Sequence, residues 1–295
     1  FLYNPKKSDN ARFVPDGTSV FERLPTGFLG RKFPGWWRRR HIGRDLQQDG
    51  VQLFHGLSGE LPTTLKAQGI RSVVTVHDLI FRRYPQWYGY IDRQIYWKKV
   101  SHASRNADKI VAISEQTKAD VVNFLGVDPA SIQVVYQGCH PVFRQPTNPE
   151  GQQAVRDKYR LPRDFILNVG TIEPRKNVLA AIKAIEALDI HLVIAGKAAT
   201  PYASEVKAYV QQHGMGSRVT FIHDASTRDL AMLYQAALLF IYPSLFEGFG
   251  IPIIEALSTG TPVITTAGGC FREAGGEHSR YVSAHDTEEI RSAVM

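Results

Sequence analysis

The feature that most constrains this chain is the alternation of short apolar runs and helix-forming stretches that begins at Asp164. Phe165-Ile-Leu-Asn-Val169 stops at Gly170, His191–Ala195 stops at Gly196, and Leu238–Tyr242 stops at Pro243. Arg218–Ile222 and Pro262–Thr265 are similar runs. Each is too short for a helix and apolar throughout, the pattern of a strand covered on both faces. Between the runs, Asn177 is placed to cap a helix with Val178, Ile182, Ile185 and Leu188 on one face. A polar helix is predicted from about Tyr202 to His213, and Ser226 or Thr227 caps another through Leu230, Leu233 and Tyr234. Pro252 opens a further helix. This order predicts an α/β fold with a parallel, doubly wound sheet. Ligands of such sheets bind beyond the carboxyl ends of the strands, so the glycines there mark the edge of a site.

The first half alternates more loosely. Strands are predicted at Val51–Phe54, Ser72–Val76, Lys109–Ile113 and Ile132–Val135, with helices at about Tyr88–Asn106 and Glu115–Phe124. A segment rich in Gly, Pro, Arg and aromatic residues lies between Pro5 and Arg44, and four prolines between Pro141 and Pro162 mark a domain boundary. Charge divides at the same place. Residues 1–163 hold 25 Lys+Arg against 14 Asp+Glu, or +11, whereas residues 164–295 hold 10 against 14, or −4. The net +7 is therefore not a uniform basic surface, and the acidic second half argues against a nucleic-acid-binding module. With 43% hydrophobic and 21% charged residues the chain is neither disordered nor collagenous nor a coiled coil. No apolar run approaches the ~20 residues that span a bilayer. Two cysteines exclude a disulfide framework or a Cys-built zinc site. A cytoplasmic enzyme with no metal is expected. The strand-like start at Phe1 and the helical pattern at Met295 read as a fragment cut at both ends.

The most specific string is Ser244-Leu-Phe-Glu-Gly-Phe-Gly-Ile-Pro-Ile-Ile-Glu-Ala-Leu257, continuing to Val263. It reads as a strand end, a glycine-rich turn and a helix whose first turn contains Pro252. Gly248 and Gly250 allow close backbone approach, and the N–H groups of a helix start suit a phosphate. Glu247 and Glu255 could accept bonds from sugar or ribose hydroxyls. A lone Gly-x-Gly followed by acidic residues would more often be an ordinary helix start. The full string, with seven residues between its glutamates, resembles the signature of retaining glycosyltransferases of family four, the glycosyl transferases group 1, which have the GT-B fold.

That resemblance spans essentially the whole chain. It implies two Rossmann-like domains facing a cleft: an acceptor-side domain, residues 1–163, and a nucleotide-sugar-binding domain, residues 164–295. It implies that Glu247 contacts donor-sugar hydroxyls, that Glu255 holds the ribose, and that the backbone of Gly248, Phe249, Gly250 and Ile251 lines the sugar and diphosphate. The stretch Val169-Gly170-Thr-Ile-Glu-Pro-Arg175-Lys176-Asn177 puts two cations in a loop after a strand, an anion site at the sheet edge. Many members place the Arg directly after the glycine, where this chain has Thr171. It resembles instead the subgroup reading Gly-Thr-x-Glu-Pro-Arg-Lys-Asn, making Arg175 the phosphate ligand, Lys176 its helper and Gly170 part of the binding edge. A His at the end of a strand is usually structural, but the resemblance places His77 over the donor sugar across the cleft, with Asp78 as its orienter. Ser114 most simply caps the following helix. Trp36-Trp37-Arg38-Arg39-Arg40 suits a membrane surface or RNA, and equally a surface loop packing its tryptophans into its own domain. Tyr84-Pro-Gln-Trp87-Tyr88 adds aromatic surface on what would be the acceptor side.

The implied activity is retaining transfer of a hexose, with mannose suggested by the subgroup, from a nucleotide-diphosphate sugar to a glycan or polyprenyl-linked acceptor in cell-surface polysaccharide synthesis. The donor is a substrate, and no cofactor or metal is implied, since no Asp-x-Asp motif is present. A sugar-nucleotide epimerase on the same fold and an NAD-dependent oxidoreductase are the alternatives. The first fits the glutamate pair less well, and the second lacks a Gly-x-Gly-x-x-Gly after a first strand. The basic first domain gives a route to peripheral contact with the inner face of a membrane.

Overall fold

A computed structural model describes residues 1–4, 21–25, 27–147 and 149–295; most of the segment between Pro5 and Arg44 that precedes Phe21 therefore lies outside the described residues. The apolar runs of the second half become strands β7 (Phe165–Val169), β8 (His191–Ala195), β9 (Val219–Ile222), β10 (Leu239–Tyr242) and β11 (Val263–Thr266), joined by β12 (Arg280–Val282). All pair in parallel, in the order β12-β11-β10-β7-β8-β9. Alternate residues feed opposite cores. Phe165, Leu167, Val193, Phe240 and Tyr242 enter one cluster with Leu233, Ile253 and Phe271, and Ile166, Leu192, Ile194 and Ile241 enter another with Ile182, Val206 and Ile290. Each such side chain contributes about 1.5–3 kcal/mol by leaving water. This double burial is why the runs lack a polar face.

The order places β7 and β10 side by side, although they are separated in sequence by two strands and three helices. Strand order reverses beside β7, so the ends of β7 and β10 lie at the switch point where such sheets bind ligands.

The first half gives a four-stranded parallel sheet in the order β3-β4-β5-β6, from β3 (Leu53–Gly56), β4 (Arg71–Val76), β5 (Lys109–Ala112) and β6 (Ile132–Val134). A short parallel pair, β1 (Leu2–Tyr3) and β2 (Glu22–Arg23), is tied by Tyr3 and Arg23 to Asp49. The chain forms two compact units that are not single stretches of sequence. The first takes in residues 1–77, 88–112 and 120–134, and the second 78–87, 113–119 and 135–295.

Two local expectations are corrected, at Trp36–Arg40 and at Asn177, and one helix appears that the sequence does not announce. The Trp36–Arg40 stretch is helical, not a loop. A helix Pro34–Trp36 runs into a π-helical turn Trp37–His41, which buries Trp37 with its Nε1 donating to Asp45 Oδ2 at 2.7 Å and leaves Trp36 exposed. The proline-rich stretch from Pro141 contains a helix, Pro149–Tyr159, packed through Val155 into the first of the cores above. Asn177 stands at the start of the helix Val178–Ile185 but does not cap it with its side chain; its φ is +54°, and Nδ2 donates to the carbonyls of Pro243 and Ala284. Among the described residues no helix is long and apolar enough to cross a membrane.

Candidate functional site

Parallel strands deliver their following loops to one edge, so the loop after β7 and the loop after β10 meet. The backbone joins them: Leu245 N donates to the Arg175 carbonyl at 2.8 Å, and Ser244 Oγ lies 3.1 Å from the same carbonyl. Close approach at this edge needs glycine. A Cβ on Gly196 would lie 1.9 Å from the carbonyl oxygen of Gly170, and Gly170 has a φ of +150°, with the aliphatic stem of Lys176 3.6 Å from where its Cβ would be.

On this frame Arg175, Lys176 and Glu247 form one ion cluster. Glu247 Oε1 accepts from Lys176 Nζ at 2.6 Å, Tyr242 Oη at 2.9 Å and Ser244 Oγ at 2.8 Å, and Oε2 pairs with Arg175 at 2.6 Å. Arg175 also donates to Glu173 Oε1 at 2.6 Å and to the Phe246 carbonyl at 2.9 Å. Burial opposes the charge on Glu247, but Lys176 and Arg175 outweigh it and hold the carboxyl below its usual range. Burial pulls Lys176 below its ordinary value against the attraction of Glu247. In Arg175 burial acts the same way, but Glu247 prevails and its pKa is raised. The Tyr242 hydroxyl, raised by burial and then by Glu247, stays protonated and able to donate. The two cations and two carboxylates sum to zero, so the site can offer its cations without burying uncompensated charge.

Glu255 sits in a different setting. It lies on the helix Ile251–Ser258, where Tyr234 Oη donates to its Oε2 at 3.1 Å, and burial pushes its pKa up to about 7 although that bond pulls it down. The same helix starts at Gly250 (φ +108°) with no side-chain cap, leaving its first turn of N–H groups to other partners. Gly248 and Phe249 form the turn before it. The Gly248 carbonyl accepts from Ser114 Oγ at 2.7 Å and from Thr117 Oγ1 at 3.3 Å. Phe249 is buried and stacks on Tyr136, while Arg83 and Tyr84 pack on Phe246.

His77 belongs to the first compact unit, directly after β4, with Nε2 2.7 Å from the Leu57 carbonyl. Asp78 Oδ1 accepts the Ile80 N–H and so opens the short helix Ile80–Arg83. Ser114 does cap its helix, accepting the Thr117 N–H at 2.9 Å, in addition to its bond to Gly248.

Sequence reasoning missed Glu173, Tyr242, Ser244 and Tyr234. Tyr242 was accessible to it, as the last residue of a strand ending at the ligand edge. Glu173 lies within the basic loop, where the two cations carry the sequence signal.

Residues 152–294 match the family described as glycosyl transferases group 1, and residues 3–143 match the one described as glycosyltransferase family 4. Between them these matches take in nearly the whole chain. The chain belongs to the glycosyl transferases group 1 family. Its architecture is that of the GT-B members. Among curated relatives, it is 29% identical over 258 residues to the serotype-specific mannosyltransferase WbdA of Escherichia coli, covering 82% of this chain and 31% of that protein. It is 27% identical over 252 residues to the O-antigen chain mannosyltransferase B of Escherichia coli, covering 82% and 64%. The chain thus spans between about a third and two thirds of the length of these relatives. Among solved structures, Anabaena HepE in complex with UDP and glucose superposes with a TM-score of 0.71 at 19% identity, over 93% of this chain and 75% of that one.

Proposed function

We propose that this chain carries the activity of a retaining hexosyltransferase. It would move a mannosyl group from a nucleotide-diphosphate sugar to a glycan or polyprenyl-linked acceptor in polysaccharide synthesis. The observation that carries the reading is the Glu247 carboxylate held between Arg175 and Lys176 at the ends of β7 and β10. Two buried cations there can receive a diphosphate, and the carboxylate between them can accept sugar hydroxyls. Mannose is favoured by the names of the curated relatives and by the Gly-Thr-x-Glu-Pro-Arg-Lys-Asn loop.

In the proposed reaction the bond from the anomeric carbon to the diphosphate oxygen breaks, and its electron pair goes to that oxygen. Arg175, Lys176 and the N–H groups of Gly248, Phe249, Gly250 and Ile251 stabilise the developing charge, which is where preorganised donors act most strongly. The acceptor hydroxyl attacks from the same face and gives its proton to the departing phosphate, so no enzymatic nucleophile is assigned. Glu255 holds the ribose. His77 is assigned to the donor sugar on family resemblance alone. The cations do the work that a divalent ion does in enzymes with an Asp-x-Asp motif. Peripheral membrane contact through Trp36 and the arginines that follow it is part of the same proposal, because a polyprenyl-linked acceptor is itself held at a membrane.

The test is transfer from labelled GDP-, UDP- and ADP-hexoses to a polyprenyl-diphosphate-linked glycan, in the presence and absence of EDTA. Transfer that persists in EDTA and yields an anomeric linkage of the donor's configuration supports the reading. An inverted product, or collapse in EDTA, overturns the mechanism.

A further inference from the structure

Three successive carbonyls of the turn after β10 are each held by a side chain. Phe246 O accepts from Arg175, Glu247 O accepts from Cys270 Sγ at 3.2 Å, and Gly248 O accepts from Ser114 and Thr117. The last of these is the most specific. Ser114 is fully buried and Thr117 nearly so. Ser114 comes from a segment 134 residues earlier in the chain, which lies within the same compact unit as the turn. Ser114 Oγ accepts the Thr117 N–H at 2.9 Å and lies 3.0 Å from Thr117 Oγ1, so the two hydroxyls form one pair with the Gly248 carbonyl as their shared acceptor. Capping a helix needs only the first of these bonds, and a capping Ser has no need of a second hydroxyl or of a carbonyl on a distant loop.

A trans peptide is planar, so fixing the direction of the Gly248 carbonyl also fixes the Phe249 N–H, which points the opposite way. The glycines on either side of Phe249 give the turn no rigidity of their own: Gly248 has no side chain, and Gly250 sits at φ +108°, a region that glycine leaves at little cost. The Phe249 ring, buried and stacked on Tyr136, anchors one side of the peptide, and the Gly248 carbonyl is the other.

We propose that Ser114 and Thr117 are positioning residues for the donor: their paired hydroxyls clamp the Gly248 carbonyl and thereby aim the Phe249 N–H at the donor diphosphate. This rests on the functional reading above and adds to it two residues that it does not count among the site residues. The clamp costs no reorganisation when the anion arrives, because the peptide is held in its binding orientation beforehand.

The variants that test it separate the clamp from the cap. Thr117→Val removes one hydroxyl, keeps the side-chain shape and retains the backbone N–H that bonds Ser114. Thr117→Ser restores the hydroxyl. Binding of GDP, UDP and ADP to the full chain is measured by calorimetry, alongside thermal melting. The clamp predicts that Thr117→Val weakens the nucleoside diphosphate that the parent binds by roughly three- to tenfold, the worth of one hydrogen bond. Its melting temperature should stay near the parent's, and Thr117→Ser should recover the affinity. Ser114→Ala should weaken binding further. Under turnover the Thr117→Val loss should appear mainly in donor KM. Unchanged affinity in both Thr117→Val and Ser114→Ala overturns the clamp while leaving the functional reading intact. A parent chain that binds none of the three nucleotides overturns both.

Discussion

Lys176 Nζ lies 2.6 Å from Oε1 of Glu247, a residue 71 positions further along the chain, and both side chains are largely buried. The contact couples the basic loop after β7 to the glycine-rich turn after β10. On the proposed reading it also makes stability and anion binding interdependent.

Glu247→Ala removes the shared counter-ion of Arg175 and Lys176. Leaving buried cations unpaired costs about 3–5 kcal/mol, so the melting temperature should fall by several degrees and transfer should be lost. An added anion should then replace the missing carboxylate. Pyrophosphate is expected to raise the melting temperature of Glu247→Ala more than that of the parent. Equal shifts in the two proteins would show that the cations of this cluster do not receive the diphosphate.

Glu255 gives a pH signature. Its folded pKa of about 7 lies above the ordinary 4.5, so the folded state holds the proton more tightly. The resulting stabilisation is complete below about pH 4.5 and is lost as pH rises through about 7, on the order of 2–3 kcal/mol for a mostly buried group. Ribose hydroxyls bond best to the ionised form. Nucleotide affinity should therefore rise about tenfold per pH unit below 7 and level off above it. Glu255→Gln should flatten both profiles. An unaltered pH dependence of nucleotide binding in that variant would remove Glu255 from the ribose.

How far these features can be read in the sequence follows from where their causes lie. Strands β7 and β8 match the predicted runs because each apolar run is bounded by its own glycine, a local signal. Gly196 was legible as a strand end, but not as the point where two backbones nearly touch. Asn177 has the local pattern of a cap, but its side chain satisfies carbonyls at Pro243 and Ala284, which no local pattern reveals. The helix Pro149–Tyr159 was hidden by its flanking prolines and by an apolar face that amounts to little more than Val155. In the site, Glu247 and Arg175 were found through family strings. Ser114 was read as a cap because its second partner lies on another part of the fold.

Gly196→Ala should be far more costly than a typical Gly→Ala change. Its Cβ would lie 1.9 Å from the Gly170 carbonyl, which is backbone and cannot turn aside as a flexible side chain would. The ends of β7 and β8 must part, and the loop carrying Arg175 moves with them. A loss of about 1–3 kcal/mol from overpacking is expected, together with weaker nucleotide binding. Gly214→Ala serves as the reference, because a Cβ there meets nothing within 4 Å and only its φ of +63° is strained. If Gly196→Ala is no worse in denaturant melts than Gly214→Ala, the close approach is not maintained in solution.

The membrane proposal needs a narrower variant than the sequence suggests. Trp37 is buried and bonded to Asp45, so replacing it damages the first unit whatever its surface does. Trp36 is 39% exposed beside Arg39 and Arg40, both exposed, and its ring packs only against His41 among its described ring contacts. An interfacial tryptophan with flanking cations should favour anionic bilayers, at about 1 kcal/mol per cation near the surface. In flotation with vesicles containing phosphatidylglycerol, the parent should float, and less of it should do so at high salt. Trp36→Ala should float several-fold less while melting at the parent's temperature. Equal flotation of parent and variant would assign Trp36 no part in membrane contact.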